Sequence, residues 1–91
     1  MTTTAPTFAD ALAAIPDHRR NQFPPRPGLF STKPPTTDTV NAWVRECRAH
    51  AARVVDHLAI VVNSALDRGD LRTAREVLAE VNLFVAVRDA Q

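Results

Sequence analysis

The chain has 91 residues, a formal net charge of +1, 45% hydrophobic residues and seven prolines. That length allows one small domain with a marginal core, and so slight a charge gives no bulk electrostatic argument for nucleic-acid binding. The single cysteine, Cys47, excludes an internal disulfide.

Residues 1–37 read as an arm. The first residues carry no basic stretch and no apolar run, so no secretory signal peptide is expected there. A short helix is predicted over 6–15: Pro6 suits a first helical turn, and Phe8, Leu12 and Ile15 share one face. Pro16 should end it. Residues 16–37 hold six of the seven prolines and predict an extended, polyproline-like segment. Apolar Phe23, Leu29 and Phe30 punctuate it. Residues of that type on a proline-stiffened strand suit pockets on a partner, because stiffness lowers the entropy lost on docking. Folding back onto the chain's own helices is the competing expectation. From His18 to Thr37 there are four basic residues (Arg19, Arg20, Arg26, Lys33) and no acids. Arg19, Arg20 and Arg26 are therefore the candidate contacts to acidic groups.

Residues 38–91 predict an antiparallel helical hairpin, so the fold class is all-α. Thr37 or Asp38 should cap a long helix running to about residue 68. Val40, Cys47, Val54 and Val61 repeat every seven residues, as do Val44, Ala51, Leu58 and Ala65, which is a bundle-type seam. Gly69 suits the left-handed position after a helix, and Asp70 suits the next N-cap. The second helix, about 70–90, carries Leu71, Ala74, Val77, Leu78, Val81, Phe84 and Val85. Pairing across Gly69 sets Ala65 against Ala74, Val61 against Leu78, Leu58 against Val81 and Val55 against Phe84. The stretch from Leu66 to Leu71, with Ala74 and Leu78, is similar to the turn of a tetratricopeptide repeat. There is one copy and the first helix is long, so generic hairpin chemistry accounts for the match and no family is assigned.

The first helix overhangs the second by about 15 Å at its N-terminal end. Trp43, Val44 and Cys47 lie on that overhang and need cover. Ile60, Leu83 and Val87 fall off the seam and suggest a second buried face. The hairpin from Thr39 onward is neutral, with seven basic and seven acidic residues.

No catalytic, cofactor or metal signature is present. Glu46, His50, Arg53 and His57 share one flank of the long helix. His50 and His57 are about 10 Å apart along the axis, too far for one ion, and Arg53 opposes a cation. They read instead as polar contacts at an interface. Cys47 follows the seam and reads as a small apolar residue. No stand-alone enzyme is expected, because a thin hairpin offers no enclosed pocket.

The leading expectation is a non-catalytic interaction or structural subunit. Its hairpin packs with itself or with a larger complex, and its arm docks on a partner. Expected partner contacts are Phe23, Leu29, Phe30, Arg19, Arg20 and Arg26 on the arm, and Trp43, Val44, Cys47, His50, His57, Ile60, Leu83 and Val87 on the hairpin. One alternative is a small phage- or plasmid-encoded regulator, or a nucleic-acid-associated factor acting through the basic arm. Another is a site-sharing subunit of an enzyme complex. Ten Arg to one Lys, with no Tyr, suggests a bacterial or phage genome of high GC content. The longest apolar run, Leu58 to Val62, is too short to span a membrane. A cytoplasmic or virion-associated protein is expected.

Overall fold

Capping side chains set where each helix begins. The computed structural model describes residues 7–28 and 33–90, which form α1 (Phe8–Ala13), α2 (Asp17–Arg20), α3 (Thr37–Asp67) and α4 (Leu71–Asp89). No strand occurs among the described residues.

The Thr7 hydroxyl accepts from the Asp10 backbone N–H at 3.2 Å and starts α1. The helix is shorter than the predicted 6–15 span. Pro6 lies outside the described residues. Pro16 does not begin an extended run. Its carbonyl accepts from the Arg19 and Arg20 backbone N–H groups at 3.0 and 2.8 Å, which makes the helical turn α2.

The cap of α3 falls one residue before the expected pair. The Thr36 hydroxyl accepts from the Thr39 N–H at 3.2 Å, leaving Asp38 in the first turn, where its charge suits the helix dipole. At the other end, the Gly69 N–H donates to the Leu66 carbonyl at 3.0 Å and the Asp70 N–H to the Ala65 carbonyl at 2.8 Å. That pair of bonds is a Schellman motif, and it needs the positive φ of +73° that Gly69 adopts. The Asp70 carboxylate then accepts from the Thr73 N–H at 3.1 Å and starts α4. Three consecutive residues thus reverse the chain, and α4 packs antiparallel along α3.

The hairpin seam is built largely from small side chains. Cys47, Ala51, Leu58 and Ala65 are buried on α3, and Ala74, Val81 and Phe84 on α4. Two of the expected pairs, Ala65 with Ala74 and Leu58 with Val81, are buried on both sides. Val61 with Leu78 is not such a pair: Leu78 remains 48% exposed while Val61 is half-buried. The reason is the path of the buried line on α4. It runs Ala74, Val81, Phe84, Val87, Ala90. Steps of three residues fall short of a 3.6-residue turn, so the line winds around the helix and leaves Leu78 behind.

That winding turns the far end of α4 toward the N-terminal segment. Helix α1 packs on α4, with Ala11 and Ile15 buried against the same core as Phe84 and Val87. Val87 and Leu83, off the hairpin seam, therefore lie on a second packed face of α4. Val87 is fully buried, and Leu83 is half-buried within the core.

The Trp43 overhang is covered by the chain itself. The Trp43 indole N–H donates to the Pro24 carbonyl at 2.9 Å, and the Phe8 ring meets Trp43 edge-on at 5.5 Å. Gly28, at φ +83°, closes the turn that follows, and a Cβ there would stand 3.0 Å from the Pro35 ring.

The result is an elongated slab. Its extents are 53 × 35 × 18 Å, and its radius of gyration is 15.5 Å, against about 12 Å for a compact domain of this length. Its accessible surface, 6680 Å², exceeds the roughly 5,200 Å² typical of a monomer of this mass.

Candidate interaction surfaces

Phe23 distinguishes the two broad faces of the hairpin. Its ring meets the His50 ring at 4.6 Å and stacks on Phe84 at 5.9 Å. His50 of α3 and Phe84 of α4 therefore mark one face, the face that the N-terminal segment covers. Across the seam from His50, helical spacing puts Val55, Val62 and Leu66 on the other flank of α3. Across the seam from Phe84, it puts Leu71, Leu78 and Val85, spaced by seven, on the matching flank of α4. These residues form the opposite face. No described residue covers it at the turn end, where Leu66, Leu71 and Leu78 are 48%, 58% and 48% exposed. Val55, Val62 and Val85 are half-buried.

The sequence does not mark this leucine face as a site. Leu71 and Leu78 fall at apolar helical positions and read from the sequence as part of the intramolecular seam. The signal that separates them is the second seven-residue series, Leu71–Leu78–Val85, which runs beside Ala74–Val81.

The expected hairpin contacts scatter. Trp43 and Val44 are half-buried. Cys47 has no exposed surface, and burial, with help from the Glu46 charge, pushes its thiol up to about 11. His57 is exposed, and Ile60, at 69% exposure, stands on the back of α3. His50 is half-buried against Phe23, and its Nε2 lacks a hydrogen-bond partner. Burial, and secondarily the Arg53 charge, holds its imidazole below the ordinary range. Among the described residues, no three His, Cys, Asp or Glu side chains gather as a metal-ligand group.

On the arm, Phe23 is buried within the chain. Leu29 and Phe30 lie outside the described residues. Arg19 bridges to Glu80 of α4 at 3.3 Å, tying α2 to the hairpin, and Arg20 pairs with Asp17 and donates to the Ala13 carbonyl. Only Arg26, of the three, is left without a partner among the described residues. Beside it, a cleft of about 580 Å³ opens between α1 and residues 20–26, with Trp43 in its wall.

Comparison with known protein families, curated proteins and solved structures gives no match to this chain. No described helix is long and apolar enough to cross a membrane.

Proposed function

We propose that the chain is a non-catalytic structural or interaction subunit that associates through its leucine face into a helical bundle. The observation that carries this reading is the exposed trio Leu66, Leu71 and Leu78 on the face opposite the N-terminal segment. Three large apolar side chains on one flat helical layer are what one half of a four-helix bundle presents. A second copy of the chain is the favoured occupant. Two hairpins stacked on this face bury the heptad-spaced line of each against the other. The hairpin's charges balance, so like-charge repulsion does not oppose pairing of two copies.

In this reading the N-terminal segment has two parts. Its apolar side chains close the hairpin's other face, and Arg26 remains available to acidic groups outside the hairpin. A virion or assembly component, or an accessory subunit of a larger complex, fits such a design. The test is a double substitution, Leu71→Ser with Leu78→Ser, followed by sedimentation. Association should weaken by at least about tenfold, since two large apolar side chains leave the interface, while helicity persists. Unchanged association would remove the leucine face from the interface.

A further inference from the structure

The cleft at the N-terminal segment lies on the other side of the hairpin from the leucine face, and it has its own chemistry. Its lining is chiefly apolar: Phe8, Leu12, Phe23 and Trp43, together with the rings of Pro24 and Pro25. The Trp43 N–H is already engaged by the Pro24 carbonyl, so the indole offers only ring surface to an occupant. Arg20 and Arg26 are the charged residues of the lining, and no carboxylate contributes to it. Arg20 is held by Asp17, whereas Arg26 has no partner among the described residues. The volume, about 580 Å³, falls within the range of small-molecule sites.

We infer that this cleft binds a small amphipathic carboxylate, with its hydrocarbon body against Trp43, Phe8 and Leu12 and its carboxylate on Arg26. An apolar floor with one unpaired guanidinium at the rim favours a ligand of that form over either a neutral hydrocarbon or a cation. A guanidinium accepts a carboxylate through two parallel hydrogen bonds, which fixes orientation as well as charge. The inference does not depend on the leucine face and stands or falls separately from it.

Trp43 is the only tryptophan in the chain, so its fluorescence reports on the cleft directly. The experiment titrates the full-length protein with decanoate below its micellar concentration, and with decanol as the uncharged control. A saturable change in Trp43 emission is expected with decanoate, with decanol binding at least about tenfold more weakly for want of the charge-assisted contact. Arg26→Ala should weaken decanoate by about the same factor. Arg72→Ala removes one positive charge from the exposed side of α4 and should leave the titration unchanged. Absence of a saturable signal, equal binding of decanol, or equal effects of the two arginine substitutions would each overturn the assignment. Circular dichroism of Arg26→Ala confirms that its helices persist.

Discussion

Phe23 stacks on Phe84 with ring centroids 5.9 Å apart and planes within 6° of parallel. One residue comes from the proline-rich segment and the other from the C-terminal half of α4, so this pair joins the two parts of the chain. With the Trp43–Pro24 hydrogen bond and the Arg19–Glu80 ion pair, it converts an arm into the cover of one hairpin face.

Phe23→Ala should therefore destabilise the chain by about 3 kcal/mol, the usual cost of emptying a buried aromatic site. Urea unfolding followed by circular dichroism measures the loss. Because Pro24 is adjacent, Trp43 emission should also shift to the red at low denaturant. A variant with wild-type stability would mean that the segment contributes nothing by lying on the hairpin.

The two glycines separate backbone strain from crowding. Both adopt positive φ, but a Cβ at Gly69 meets nothing within 4 Å, whereas one at Gly28 meets the Pro35 ring at 3.0 Å. Gly69→Ala should cost about 1 kcal/mol, from the left-handed conformation alone. Gly28→Ala should cost more, because Pro35 must also shift. Thermal melts of the two variants check the order, and a larger loss at Gly69 would contradict it.

His50 predicts a pH dependence. Its folded imidazole is harder to protonate than an unfolded one, because burial and then Arg53 disfavour the cation. Unfolded chains bind the proton near pH 6.5, so stability from this site is fully present above about 6.5 and declines as pH falls toward the lowered native value. The measurement is unfolding free energy at successive pH values from neutral to mildly acidic, for the wild type and His50→Gln. The difference between them should shrink on acidification. A difference that grows would mean that the native site favours the charged ring.

Cys47 should behave as an inert thiol. With no exposed surface and a thiol pushed up to about 11, almost none of it is thiolate at pH 8. Reaction with a disulfide reagent should be far slower than for a free thiol and should accelerate on adding urea. Rapid modification of the native chain would show that the Cys47 end of the hairpin opens readily.

The hairpin was legible in the sequence because its boundaries are local chemistry. Gly69 and Asp70 specify the turn by themselves, and the Thr36 cap lies one residue from its expected place. The docking of residues 7–28 was not decidable, since an apolar residue such as Phe23 suits a pocket in its own chain as well as one in another. The leucine face is hidden in the sequence for a related reason. Helix α4 carries apolar residues around most of its circumference, so two seven-residue series compete for the seam. Packing chose the series containing Ala74, whose small side chain lets the helices approach near the turn, and left Leu71 and Leu78 outside.

Those leucines are proposed to meet a second copy of the chain. Light scattering of the purified chain across a range of concentrations tests it most directly. The expected result is a dimer or a higher even multiple of the 10.0 kDa chain mass, with helical circular dichroism on the same sample. A well-folded helical monomer at every soluble concentration would contradict it.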